Sequence, residues 1–203
     1  MKKHFILLMM AIPVLGLSSC MSIFSSTQQP ITITGENGTK LYDAANNVKL
    51  AEIKEKVDNI KPEQRKKLVL ISLMTSYGGK GCTFDDICQY AGVINGVSDA
   101  GLHNGQILTK EMLVAINPDL LIMPVYNDHN TFDIEKYNKE FLEDPALQTL
   151  NAVKEKRLFY PREGYIYNSS QDIVFGVQEV ARAAYGELFS QPENCHISVA
   201  EIN

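Results

Sequence analysis

Several patterns are missing from this sequence, and each absence removes a class of function. There is no basic excess: 19 Lys and Arg stand against 24 Asp and Glu, a net charge of −5. A nucleic-acid partner leaves a basic footprint, and none is present. No apolar run approaches the about 20 residues that a membrane-spanning helix needs. The longest runs only from Phe5 to Leu17 and contains Pro13. No His or Cys pair stands at zinc-ligand spacing. The dinucleotide pattern G-x-G-x-x-G, the phosphate loop G-x-x-x-x-G-K-[ST] and the nucleophile elbow G-x-S-x-G are all missing. Paired carboxylates at metal-ligand spacing are missing too. These gaps assign no catalytic residue, no metal and no intrinsic cofactor. Cysteine is scarce, with four in the chain: Cys20, Cys82, Cys88 and Cys195.

What is present starts with a processing signal. Lys2 and Lys3 precede the short apolar run, and small residues follow it. That order reads as a secretory signal peptide over residues 1–19. Leu17-Ser18-Ser19-Cys20 resembles the lipobox of bacterial lipoproteins, with Cys20 as the lipidated new N-terminus. Two or three acyl chains anchor firmly where one would be marginal. An ordinary cleaved signal with a chance cysteine is the plainer alternative. The expected location is outside the cytoplasm, tied to the membrane by lipid. Residues 20–42 read as anchor and tether, rich in Ser, Thr and Gln up to Pro30, with a short strand at Ile31-Thr32-Ile33-Thr34. In an oxidising compartment two of Cys82, Cys88 and Cys195 are able to pair, and the spacing does not choose between the pairings.

The rest alternates helix and strand. A helix over residues 43–60 is expected, capped by Asp43, with Leu50, Ile53, Val57 and Ile60 along one face. Leu68 to Leu73 is a continuous apolar run, the mark of a strand buried on both sides. Gly78, Gly79 and Gly81 form a loop. Thr83 opens a helix with Asp86 as capping partner and Phe84, Ile87, Cys88 and Ala91 inward. A short strand ends at Asn95. Thr109 caps a helix whose Met112, Leu113 and Ile116 face inward, and Pro118 stops it. Strands are expected at Leu120–Met123 and Arg157–Tyr160. Helices are expected around Ile134–Phe141 and from Asp144-Pro145 onward, with Leu147 and Leu150 inward. Ser169 or Ser170 caps a last helix that Gly186 stops, with Ile173, Val177, Val180, Ala181 and Ala184 buried. The fold class is therefore α/β: a Rossmann-like lobe over residues 67–188, with a mostly parallel sheet flanked by helices and a long helix in front. Residues 189–203 read as a tail that is loose unless Cys195 ties it down.

Four segments in order resemble the substrate-binding proteins of ABC importers for iron–siderophore, haem and cobalamin. They are Gly81-Cys82-Thr83-Phe84-Asp85-Asp86-Ile87 with Ala91-Gly92-Val93-Ile94-Asn95; Leu108-Thr109-Lys110-Glu111-Met112-Leu113; Asn117-Pro118-Asp119-Leu120-Leu121-Ile122; and Asp144 to Lys154. The resemblance covers about residues 43 to 188. It implies two lobes joined by one rigid helix, with the ligand between them. Residues 43–60 resemble the end of that connecting helix, and residues 67–188 the C-terminal lobe. An N-terminal lobe of about 100 residues does not fit between Cys20 and Leu68, so most of it is expected to be missing.

The resemblance also implies partners: ABC permease transmembrane subunits, and a metal chelate such as haem, cobalamin or a ferric siderophore. Each lobe of such a protein offers an acidic side chain to the permease, and Glu111 stands at that position. The plainer role of Glu111 is to stabilise the start of its helix. Ligand candidates follow from the rule that open α/β sheets bind at the carboxyl ends of their strands. Tyr77 and Gly78 follow the first strand, Tyr126-Asn127-Asp128-His129 the second, and Tyr165 and Tyr167 the third. His103 precedes the Glu111 helix. A tyrosine offers a ring face and a hydroxyl together, which suits a flat macrocycle or catecholate. His103 or Tyr77 as an axial haem ligand has no spacing behind it. Two competing functions remain: an accessory or remnant lipoprotein that folds without capturing ligand, and an enzyme on a Rossmann-like lobe, which fold analogy alone does not license.

Overall fold

The structure is a computed structural model that describes residues 38–125, 132–167, 172–193 and 195. The signal segment, Cys20, the strand at Ile31–Thr34, Tyr126–His129 and the caps Ser169 and Ser170 lie outside the described residues.

Among the described residues four strands form one parallel sheet: β1 (Lys67–Leu70), β2 (Ile94–Asn95), β3 (Leu120–Ile122) and β4 (Leu158–Phe159). Their order is β2-β1-β3-β4. Leu68 sits opposite Leu120 and Leu70 opposite Ile122, while Ile122 also faces Phe159. The α-helices among the described residues are α1 (Gly38–Asp58), ahead of the first strand, then α2 (Thr83–Tyr90), α3 (Gly96–Asp99), α4 (Lys110–Ile116), α5 (Ile134–Glu143) and α6 (Asn151–Lys154), and, after the last strand, α7 (Glu163–Ile166) and α8 (Ile173–Tyr185).

The apolar run 68–71 is explained by the two-residue repeat of a strand. Leu68 and Leu70, with Leu120 and Ile122, enter one core beside Phe84, Ile87, Val177 and Val180. Val69 and Ile71, with Leu121 and Met123, enter a second core beside Leu113, Leu147 and Leu150. Helices α1, α2, α7 and α8 cover the first face, and α3 to α6 the second. Each fully buried side chain of this size contributes about 1.5–3 kcal/mol relative to exposure, so both faces are needed. Ile53 and Val57 of α1 are buried in the first core, with Leu50 and Ile60 packed beside them.

Several local expectations need correction. Asp43 does not cap α1, because the helix already runs from Gly38 and no breaker stands between. Cys82, not Thr83, is the N-cap of α2. Met112 is 41% exposed, because it lies on the side of α4 away from Leu113. The strand expected to reach Leu73 ends at Leu70, although Ile71 N–H still donates to the Ile122 carbonyl at 2.8 Å before the chain turns away. After Asp144 comes a capped turn rather than one continuous helix: its carboxylate accepts from Ala146 N–H at 2.9 Å, and a single 3₁₀ turn, Leu147–Thr149, leads to α6. The three thiols Cys82, Cys88 and Cys195 are all free. Phe189 is fully buried, so the core reaches past residue 188.

Candidate functional site

From β1 the chain first crosses to β2 on one side and then returns past β1 to β3 on the other. The reversal opens a crevice between the carboxyl ends of β1 and β3, where an open α/β sheet holds its ligand. A cavity of about 450 Å³ lies there. Ser72, Leu73 and Met74 line it from the end of β1 and Pro124 from the end of β3. Tyr77, Thr83 and Tyr167 complete its wall. The size lies within the usual range of small-molecule pockets. Among the described residues the lining carries no charged side chain.

The Tyr77 side of the wall is built on a loop that behaves like sheet. Lys80 and His103 form a parallel bridge. Lys80 N–H donates to the Leu102 carbonyl at 2.9 Å and Asn104 N–H to the Lys80 carbonyl at 3.0 Å. Gly105 N–H donates to Ser76 at 2.7 Å, and Leu108 N–H to Thr75 at 3.0 Å. A Cβ on Gly79 would stand 2.6 Å from the His103 carbonyl carbon, so only glycine lets the two stretches lie this close.

Below the loop is a buried polar knot. Asn95 Nδ2 donates to the Asp85 carboxylate and to the Gly78 carbonyl, each at 2.9 Å. Asn95 Oδ1 accepts from Val97 N–H at 3.1 Å. Asp85 accepts in turn from Gly81 N–H at 3.2 Å. Every partner is satisfied, as burial at this depth demands. Gly78 has φ +114°, a conformation that side-chain-bearing residues rarely adopt.

The Tyr167 side stands on α7 and is pinned by side chains. Tyr165 is buried and Ile166 fully so. The Tyr165 hydroxyl donates to the Cys195 carbonyl. Its ring lies 5.7 Å from that of Phe175 and under the Arg162 guanidinium at 5.8 Å. Burial pushes its phenol pKa up. Arg162 N–H donates to Glu179, whose carboxyl burial also holds above the usual range.

The structure therefore joins two of the ligand candidates, Tyr77 and Tyr167, in one wall. Gly78 lies beneath that wall, buried, and offers a carbonyl to Asn95 rather than a face to a ligand. Tyr165, expected on an open loop, is packed inside because α7 is a helical turn docked on α8. His103 is exposed and does not line the cavity. Thr83, Met74 and Pro124 were not expected in the wall; their place at the switch point follows only from the strand order. The knot of Asp85 and Asn95 was also missed, since both read as ordinary helix and strand residues.

Glu111 lies in the first turn of α4, where Thr109 Oγ1 accepts from Met112 N–H at 3.3 Å. Because α4 leads into parallel strand β3, its start is on the same edge as the cavity. The N–H of Glu111 itself, then the Thr109 hydroxyl, hold its carboxyl below the usual range, so it stays anionic. The neighbouring Lys110 is paired with Asp144 at 2.5 Å. Burial pushes the pKa of the Cys82 and Cys88 thiols up, and a thiol held protonated is a poor nucleophile and a poor metal ligand. Among the described residues no group of three His, Cys, Asp or Glu side chains is placed to hold a metal.

Residues 37–163 match the sequence model described as periplasmic binding protein. No curated protein matches the chain in sequence. Among solved structures, the periplasmic heme-binding protein RhuT from Roseiflexus sp. RS-1 superposes with a TM-score of 0.59 at 18% identity, covering 72% of this chain and 55% of that one. MolA of Haemophilus influenzae, bound to molybdate, gives 0.61 at 16% identity, covering 74% and 44%. The triscatecholate siderophore binding protein FeuA from Bacillus subtilis, complexed with ferri-bacillibactin, gives 0.56 at 16% identity, covering 71% and 52%. The chain spans about half the length of these structures.

Proposed function

Because the chain belongs to the periplasmic binding protein family, we propose that its strand-carboxyl cavity is one wall of a ligand site for a flat metal chelate, and that it is the solute-binding component of an ABC importer for haem, cobalamin or a ferric siderophore. Members of this family are solute-binding proteins that work outside the cytoplasm with ABC permeases. The observation that carries the reading is the pairing of Tyr77 and Tyr167 in one uncharged wall at the switch point. Two aromatic rings in one uncharged wall suit a macrocycle or an aromatic chelate. A bare oxyanion such as the molybdate of MolA would find no counter-charge among the described lining residues.

The test is a titration of the chain with hemin, cyanocobalamin and a ferric catecholate, followed by absorbance and melting temperature. A ligand that binds the folded chain and not the unfolded one stabilises it by mass action, by about 2.7 kcal/mol at a hundredfold excess over Kd, and so raises the melting temperature. One stabilising ligand names the substrate class. A cooperative melt that none of the three moves would instead support an accessory protein that folds without capturing ligand. No catalytic step is assigned.

Permease docking through Glu111 belongs to the same reading. The carboxylate is anionic, exposed and on the cavity edge. Glu111→Arg is expected to abolish permease binding while the melting temperature stays within a few degrees. Undiminished binding would remove Glu111 from the interface. Cys20 completes it as the lipid-anchored residue: Cys20→Ser is expected to move the chain from the membrane to the soluble fraction.

A further inference from the structure

The residues that follow α8 do not lie where a loose tail would. Gln178, buried in α8, donates through Nε2 to the Ser190 carbonyl at 2.8 Å and to the Phe189 carbonyl at 3.2 Å. Gln191 returns the contact, donating to the Phe175 carbonyl at 3.1 Å. Further on, the Cys195 carbonyl accepts from the Tyr165 hydroxyl, and Cys195 packs against the first core. The chain thus runs back along α8 and ends its described course on top of α7.

On its other side Tyr165 lies directly against α8. A Cβ on Gly176 would lie 2.1 Å from the Tyr165 carbonyl oxygen, so the backbones of α7 and α8 touch there. The Phe175 ring and the Arg162 guanidinium pack against its ring. Tyr167 is two residues from this anchored point, with fully buried Ile166 between. Its position in the cavity wall is therefore set by where Tyr165 is held.

We propose that the segment after α8 is a strap, and that Tyr165, gripped between it and Gly176, is a positioning residue for Tyr167. Tyr165 does not touch ligand. It fixes the turn that presents Tyr167, so the strap governs the shape of a cavity it never lines. The placement of Tyr167 stands on geometry alone; its meaning for ligand capture rests on the function proposed above.

The chain contains no tryptophan, so Tyr167→Trp creates a single emission reporter in the wall. The comparison is between that variant and the same variant carrying Tyr165→Phe, which keeps the ring packing and deletes only the donor. Losing one hydrogen bond is expected to enlarge the displaced population of the turn by roughly two- to tenfold. This is read as red-shifted emission and stronger acrylamide quenching. Gln178→Leu, which frees the other end of the strap, is expected to move the same signal in the same direction. Identical emission and quenching in all three proteins would overturn the proposal, as would a change that appears only in variants whose melts have lost cooperativity.

Ligand binding then separates the two readings. If hemin or a ferric catecholate binds, Tyr165→Phe alone should weaken it several-fold with a nearly unchanged melt. Unchanged affinity would overturn the positioning role. If no probe binds the parent chain, the function proposed above falls, and the fluorescence comparison still decides the strap.

Discussion

The two tyrosines of the cavity are held in opposite ways. Tyr77 stands on a loop stitched to residues 102–108 by backbone hydrogen bonds. Tyr167 stands on a turn gripped by side chains and by the segment after α8. Backbone stitching ignores side-chain identity except where a Cβ would intrude. A side-chain grip depends on every member. The first kind of wall tolerates sequence change and keeps its shape. The second is open to retuning by single substitutions far from the ligand.

The sharpest way to break this contrast is at the close approaches. Gly176→Ala forces a methyl against a helix backbone and is expected to cost about 1–3 kcal/mol, the usual range for overpacking. Chemical denaturation would measure it, and an unchanged midpoint would mean that α7 slides freely on α8. Gly79→Ala meets the His103 backbone instead. It falls in the same range of about 1–3 kcal/mol, toward the lower end, because two loops separate more easily than two helices. Faster hydrogen exchange at the Lys80 and Asn104 amides would mark the opening of that wall.

A smaller effect should come from pH, and only on the gripped side. The folded-state pKa of Glu179 is raised by burial. Below the unfolded value both states hold the proton and nothing changes. As pH rises through the folded value, the native state loses its extra proton and stability falls. Glu179→Gln, whose amide oxygen still accepts from Arg162, should match the parent in acid and exceed it near neutrality. Parallel stability curves across the acid range would refute this. The smallest effect is expected at His103→Ala, within about 0.5 kcal/mol, because that stretch is held by its backbone. If the substitution also left hemin binding intact, His103 would leave the ligand candidates. A large loss of hemin affinity would instead bring it into the site by a route the wall does not show.

How much of this was legible in the sequence depended on range. The double-sided strands β1 and β3 were plain, because a continuous apolar run has one economical explanation in an α/β chain. Inward residues such as Phe84, Ile87, Leu113 and Val177 followed from helical spacing. Thr109 as a cap was local chemistry and was readable. Asp43 failed because α1 already runs from Gly38, ahead of it, and Thr83 because the chain enters α2 one residue earlier, at Cys82, whose side chain makes no capping hydrogen bond. The strand-end rule pointed to Tyr77 and Tyr167, and both line the cavity. Tyr165 obeys the same rule in sequence yet is buried, since only the contact with Gly176 and Cys195 decides which of two neighbouring tyrosines faces out. The Asp85–Asn95 knot joins residues ten apart through their side chains, and no periodicity announces it.

The alternation along β1 has a further consequence, for how the chain finds its alignment. In most sheets a slip by one residue is punished at once, because polar groups are driven into the interior. Here a slip would merely exchange Leu68 and Leu70 for Val69 and Ile71, apolar for apolar. Polarity cannot proofread this strand along its length. The checks sit at its border: Lys67 N–H donates to Asp119 at 2.8 Å, its ammonium meets Asp99 at 2.8 Å, and Gly96 leaves space for the Val69 methyl against it. What distinguishes the two alignments by polarity therefore lies in the latches at the amino end of the strand, and not in its oily interior.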